Sequence, residues 1–510
     1  MRQRITFLHR NEHGVEPSAI QVGDRSLTGP DVLAVREHRV TLALEELPAE
    51  LRELLRDINE LHIRWSTLRT HDTLGPWNSR LPPGLHVFYT PRTASAADSP
   101  ELCEKLRAYF GKVLDCSTPS ESFTKLPTDR FTHSTAFQYF HNLDVLPNLP
   151  SLSEEHAWAE GLASAASLDV SYDAISGAVK ITALWPEALQ KLSIVAPRGG
   201  HRTEVGILTP DSPAYLEPHE LGVTGLLTVL GEDSKPSAVM FGFPSRHKDA
   251  GSDTSFSSRF LRPHGLHPTL QLTLDSSSTR PPASSCSLHA YLTLPRTVFA
   301  DKYQLGDDLF LASKNLTALR YISQPVDLEA PDYAMKVWGS SVLLELQPPR
   351  RAPTTTTTTT AEEGTKEEDT TSWTAEIPLH LRYLAPAEGG YGTVNIPWPV
   401  VFWACNAEEG TKFPNSPFDR VNLGYDGLFG PRTLFWHVSP RPEEAGGSLV
   451  HQIRVPVLDS HKTAWINTST TAVVLLGFAY ILWRLATVYL RTGYGGNQRT
   501  AVEGEKKKKQ

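Results

Sequence analysis

The run TAVVLLGFAYILW, Thr471 to Trp483, is the one long apolar stretch in a chain of 510 residues. Unbroken apolarity of this kind marks a membrane span, and the buried helix of a soluble core rarely carries it. Trp465 and Trp483 bracket the run, and Trp favours the headgroup level of a bilayer. As a helix, the eighteen steps between those anchors cover about 27 Å, which matches the hydrocarbon core of a thin membrane. Arg484 follows at once, where a guanidinium can snorkel to lipid phosphate. LATVYL, Leu485 to Leu490, continues the helix into the interface. The expectation is one transmembrane helix over 464–484 and a basic tail over 485–510.

The flanks set the orientation. Arg484, Arg491, Arg499 and Lys506 to Lys509 follow the span, whereas only Arg454 and Lys462 stand just before it. The positive-inside bias puts the tail in the cytosol and the large N-terminal part on the lumenal side. The terminal KKKQ also resembles a cytosolic dilysine retrieval signal of the endoplasmic reticulum. Against this, MRQRITFLHRNEHG contains no apolar core of a signal peptide. A tail-anchored chain with its bulk in the cytosol is therefore the alternative topology.

Ahead of the span, apolar residues alternate with a period of two. Ile5 and Phe7 do so in RITFLHR, Val40, Leu42 and Leu44 in HRVTLALEEL, and Val179, Ile181, Ala183 and Trp185 in AVKITALW. The pattern returns at Leu270, Leu272 and Leu274, at Leu288, Ala290, Leu292 and Leu294, and at Ile377, Leu379, Leu381 and Tyr383. Ile453, Val455 and Val457 close the series. Short alternating segments separated by turn residues predict a mainly β fold of antiparallel, sandwich-like domains. The 39 prolines and 34 glycines supply the turns. Two helices are expected, over 49–65 and in ELCEKLRAYF.

Composition divides the chain further. DSSSTRPPASS, 275–285, reads as a linker between an N-terminal region, 1–274, and a C-terminal β domain, 286–460. The segment 353–372, rich in Thr and Glu, is too poor in apolar residues to offset its ordering entropy and is expected to be a disordered insertion. A net charge of −8 gives no basic footprint for nucleic acid. Four cysteines, Cys103, Cys116, Cys286 and Cys405, are even in number and allow three pairings, among which sequence does not choose. With no CxxC and no Cys/His cluster, no metal site is expected. The sequons are Asn315-Leu-Thr and Asn467-Thr-Ser; the second touches the span, which leaves Asn315 as the usable glycosylation site.

Catalytic signatures are missing. The sequence has no HExxH, no phosphate-binding loop and no GxSxG elbow. The 19 histidines are scattered, the acidic pair Asp307 and Asp308 sits in a loop, and Gly389 to Gly392 reads as a hairpin turn. No catalytic residue and no cofactor are assigned.

The C-terminal region carries a resemblance. SLHAYLTLPRTVFADKYQL is followed by VDLEAPDY, then SVLLEL, then IPLHLRYLAPAEGGYGTVNIPWPVVFWAC. In this order and spacing, roughly Ser285 to Leu490, the pieces resemble the PIG-X family and its fungal Pbn-type members. Those are accessory subunits of glycosylphosphatidylinositol (GPI) mannosyltransferase I. The region before residue 280 has no counterpart in the shorter PIG-X form and looks like the extra lumenal part of the fungal members. The resemblance implies a non-catalytic, single-pass protein of the endoplasmic reticulum membrane. Its implied partner is the multi-span catalytic subunit that adds the first mannose to the GPI precursor. Such members are also linked to folding of other proteins made in that compartment, so a general chaperone or cargo adaptor is the alternative function. Within the region, Asp327, Glu329 and Asp332 are candidate partner contacts, as are Trp398, Phe402 and Trp403, the residue types that anchor interfaces. Pro397 and Pro399 remove ladder donors and predict an edge strand there. Cys286 and Cys405 both flank alternating strands of the region; a disulfide joining the two sheets of one sandwich is one expectation for them, and two buried free thiols the alternative.

Overall fold

The computed structural model describes residues 1–493, except 12–13, 73, 128–133, 148–160, 198–200, 214–215, 218, 263–264, 324–326, 349–371, 412, 414–415, 419–423 and 445–446. Nearly all of the 353–372 insertion and the end of the tail, 494–510, lie outside the described residues.

Each alternating segment forms a strand, so the chain is mainly β. Eleven strands make one sheet. Within it Arg2–His9 pairs with Val32–Ala43 on one side and, in parallel, with Arg202–Asp211 on the other. Ala178–Gln190 then leads through Ser167–Asp173, Ile58–Ser66 and Gly84–Pro91 to Ala136–His141. One face of this sheet is apolar: Leu61 and Trp65 join Val179, Ile181 and Val87 in a single core cluster. The helix Glu101–Phe110 covers that face with Leu102, Leu106 and Phe110, the positions its 3.6-residue period brings together.

The sequence 49–65 breaks in two. Ala49–Arg56 is a helix, and the chain then turns at Asp57 into the strand Ile58–Ser66. The helical spacing of Leu51, Leu54 and Leu55 is real, but it stops there. Beyond it Leu61, Ile63 and Trp65 follow the period of a strand, and the ladders on both sides of Ile58–Ser66 decide the outcome.

A second, six-stranded sheet contains Val400–Asn406, Ser287–Pro295, Gly339–Leu346 and Leu316–Ile322. Ser287–Pro295 is buried along nearly its whole length, which requires cover on both faces. On one face Tyr291, Phe402, Leu343 and Phe435 share an apolar cluster with Phe88 of the large sheet. Trp403 lies on the other face, where its indole N–H donates to the Ser278 carbonyl at 3.1 Å. Ser278 follows Thr269–Leu274, a strand of a four-stranded sheet that also holds Ser255–Phe260 and Trp373–Pro378. The middle sheet is thus sandwiched between the other two.

Two expectations are corrected here. The segment 275–285 does not separate two compact units, because 1–384 and 393–453 form one unit. Strands from both sides of it pair: Thr269–Leu274 with Trp373–Pro378, and His247–Asp249 with Thr433–His437. Cys286 and Cys405 are bonded, with sulfurs 2.02 Å apart, but they do not join opposite sheets. They extend the ladder that pairs Ser287 with Ala404, and so tie neighbouring strands of one sheet. Cys103 and Cys116 form the second disulfide, from the helix Glu101–Phe110 to the loop after it.

The second unit comprises 385–392 and 454–510, and its main element is the helix Ser460–Thr492. Asp459 caps it, its carboxylate accepting from the His461 N–H at 3.1 Å. At 33 residues the helix is about 50 Å long. Its most apolar part is not buried at all, with Val473 to Leu476, Phe478, Ile481 and Leu482 each half exposed or more. This fits single-pass membrane anchoring, with the helix running eight residues past position 484.

Candidate functional site

The face of the large sheet opposite the helix carries His62, Arg64, His86, Gln138 and Asp169, all buried. They alternate with apolar neighbours, and such positions would be solvent-facing if nothing covered them. The six-stranded sheet covers them. Gln138 is its main link: the amide donates to the Tyr291 hydroxyl at 3.1 Å and accepts from the Ser341 hydroxyl at 2.9 Å. The Gln138 backbone carbonyl accepts from the Trp338 indole at 2.8 Å. His62 meets Asp169 at 3.0 Å, with Arg64 at 3.8 Å from the same carboxylate. Nearby, His247 and His437 share a hydrogen bond at 3.0 Å, and Asp426 lies 3.6 Å from His247.

This seam gathers histidines that look scattered in the sequence. Burial holds His86 down to about 3 and pushes His437 well below the ordinary imidazole value, so both are neutral at pH 7. Beside the seam, Arg64, His71 and Arg80 line a cavity of about 60 Å³. That is room for a few waters and far below the size of a ligand pocket. Among the described residues no three His, Cys, Asp or Glu side chains are placed to hold a metal ion. The Gln138, Tyr291, Ser341 and Trp338 hydrogen bonds fix one sheet against the other, while His62 Nδ1, His86 Nδ1 and His437 Nδ1 are buried without a hydrogen-bond partner.

The expected contact residues separate into two sets. Trp398, Phe402 and Trp403 are 5%, 0% and 2% exposed, so they are core and not a docking face. NIPWPVVFWAC folds as two strands, Tyr391–Pro397 and Val400–Asn406, with the break at Trp398 and Pro399. Val400–Asn406 lies between Ser287–Pro295 and Thr433–His437, hence inside its sheet and not at an edge. The prolines mark where one strand ends and the next begins.

Asp327, Glu329 and Asp332 lie in a surface loop. Asp327 accepts from the Glu329 and Ala330 N–H groups at 2.9 and 3.0 Å, which holds its carboxyl below the usual range. Asp332 takes the Arg296 guanidinium at 3.1 Å, and Arg382 donates to the Ala330 carbonyl at 2.8 Å. Two of the three carboxylates therefore shape the loop, and Asp327, Glu329 and Tyr333 are exposed. Asp307, of the acidic pair, caps the helix Asp308–Ser313 through the N–H groups of Leu309 and Phe310 at 2.9 and 3.0 Å.

Asn315 is exposed, in the left-handed backbone region at φ 57°, and its amide donates to the Thr374 carbonyl at 2.7 Å. Asn467 lies within the helix Ser460–Thr492. One expected result follows. Endoglycosidase treatment should give a single mobility shift that Asn315→Gln abolishes and Asn467→Gln retains; an untreated and treated band at the same position would argue against a lumenal location for residue 315.

The family model described as PIG-X / PBN1 matches residues 263–486. Over its full length the chain is 52% identical across 520 aligned positions to Protein pbn1 of Neurospora crassa, and the alignment covers all of both chains. This chain belongs to the PIG-X / PBN1 family. It is also 43% identical over 503 residues to Protein PBN1 of Gibberella zeae, covering 96% of this chain and 97% of that one. Protein pbn1 of Emericella nidulans is 40% identical over 526 residues, at 97% of each chain. The likeness to these PBN1 proteins therefore includes the large N-terminal sheet, whose strands all lie outside the part matched by the family model. That agrees with one unit built from both parts.

Proposed function

We propose that this chain is a non-catalytic subunit of GPI mannosyltransferase I that stabilises the multi-span catalytic subunit in the membrane of the endoplasmic reticulum. Family membership over the full length is the observation that carries the reading. The uncovered apolar helix supports it as a membrane anchor. In this reading the bulk of the chain is lumenal and the basic C-terminal tail cytosolic, as the charge bias of the flanks favours. Tethering both proteins to one membrane raises their effective concentration for each other without requiring a large interface. The two disulfides favour the oxidising, lumenal side.

The test is a purification of tagged full-length chain in mild detergent. A multi-span mannosyltransferase in fixed ratio is the expected companion. A changing set of secretory clients without that enzyme would replace this reading with a chaperone or adaptor, and free thiols with an unmodified Asn315 would point to a cytosolic, tail-anchored scaffold.

A further inference from the structure

Arg484 lies in the most apolar part of the C-terminal helix, and the position of the helix bounds decides what it can do. A bilayer placed over 464–484 would bury Asn467, Thr468, Ser469, Thr470 and Thr471 and leave Leu485, Val488 and Leu490 in the interface or in water. Placed over 471–490, it encloses twenty residues, about 30 Å of helix, with Arg484 as the one charge among them. The helix continues unbroken through this stretch to Thr492. Val488, Tyr489 and Leu490 are each at least half exposed, as lipid-facing residues would be. Tyr489 then stands at the interface and Arg491 just outside it.

In that placement Arg484 is six residues, about 9 Å, inside Leu490. Side chains leave a helix tilted towards its N-terminus. From a position near the C-terminal end, the guanidinium therefore starts towards the bilayer centre and away from the nearer headgroups. It cannot shed its charge, and its five N–H donors need acceptors. The helix Ser460–Thr492 contains no Asp or Glu to supply them.

We infer that Arg484 forms an ion pair inside the bilayer with a carboxylate on a transmembrane helix of the partner subunit. A carboxylate accepts the guanidinium in a bidentate pair, and such a pair in hydrocarbon fixes both depth and rotation of the two helices. Charge complementarity selects this occupant: a lone cation in an acid-free span fits a span that carries an acid. The inference rests on the proposed membrane subunit role and adds to it the residue that makes the contact.

The test compares full-length wild type with Arg484→Leu, Arg484→Lys, Arg484→Glu and Arg491→Leu. Each is extracted at alkaline pH to check membrane integration, then purified in mild detergent, and the membrane enzyme it carries is quantified. Arg484→Leu should integrate as well as wild type yet retain at least tenfold less partner. Arg484→Glu should retain none, Arg484→Lys an intermediate amount, and Arg491→Leu the wild-type amount. Restoration of Arg484→Glu by an Arg at an intramembrane Asp or Glu of the captured enzyme would identify the pair. If wild type and Arg484→Leu carry equal partner, the pairing is wrong and lipid phosphate serves the arginine. If wild type itself carries no membrane enzyme, the subunit proposal fails first.

Discussion

Depleting this chain is expected to remove the catalytic mannosyltransferase itself, and not merely to slow it. A membrane protein that loses a stabilising subunit exposes the surface that subunit covered and is cleared by quality control. A shift of about 1–2 kcal/mol in its stability is enough to change steady-state abundance several-fold. The GPI precursor lacking mannose should accumulate in step with the loss of the enzyme. Raising expression of the enzyme should restore part of the flux, because mass action offsets a faster removal. A catalytic role would behave differently. The acidic pair offers the sharpest control, since Asp307 holds a helix N-terminus and Asp308 opens that helix. Asn caps a helix about as well as Asp, so Asp307→Asn with Asp308→Asn should keep both enzyme level and mannose transfer. A double variant with normal enzyme level and no transfer would overturn the accessory role.

How far the sequence reveals this molecule depends on which physical signal is asked for. Period-two alternation locates strands well, because only a pleated chain places Leu288, Ala290, Leu292 and Leu294 on one face. It does not say what covers the other face. His62, Arg64 and Gln138 occupy positions that look wet, and they are buried by a sheet whose strands come from far along the chain. The same non-local pairing defeats the linker reading of 275–285, where polar composition is real but Ser278 is enclosed. Its hydroxyl accepts from the Ser255 N–H at 2.7 Å.

The aromatic strand shows the same limit from the opposite side. Trp398, Phe402 and Trp403 have the chemistry of an interface anchor and of a core equally, and only the neighbouring strands decide between them. Phe402 lies against Tyr425 at a ring separation of 4.8 Å and against Phe435 at 5.4 Å, an arrangement no local pattern encodes. Arg484 is legible in sequence as a charge beside a span. The structure adds that the helix runs on unbroken beyond it to Thr492, which the flank alone does not reveal.

Acidification should unfold the chain well before its carboxylates are protonated. His38, His86 and His289 are buried, with their values pushed down to about 4, 3 and 4 chiefly by that burial. Arg36 lowers His38 further, whereas the Pro82 carbonyl, 2.7 Å from His86, only partly offsets the burial. In the unfolded chain each imidazole titrates near 6.5. Between the folded value and 6.5 the unfolded state binds more protons, so stability rises with pH across that window and falls as pH drops through it. Each histidine contributes up to about 1.4 kcal/mol per pH unit there. Three together approach about 4 kcal/mol per unit, against a total stability on the order of 5–15 kcal/mol for a folded domain. For full-length protein in detergent, the urea midpoint should hold steady from pH 8 to 7 and then drop steeply between pH 6.5 and 5. His86→Gln keeps a donor for the Pro82 carbonyl and removes one titration, so it should flatten the drop even if it lowers stability at pH 7. A midpoint that stays level from pH 7 to 5 would show that these histidines are not held neutral in the interior.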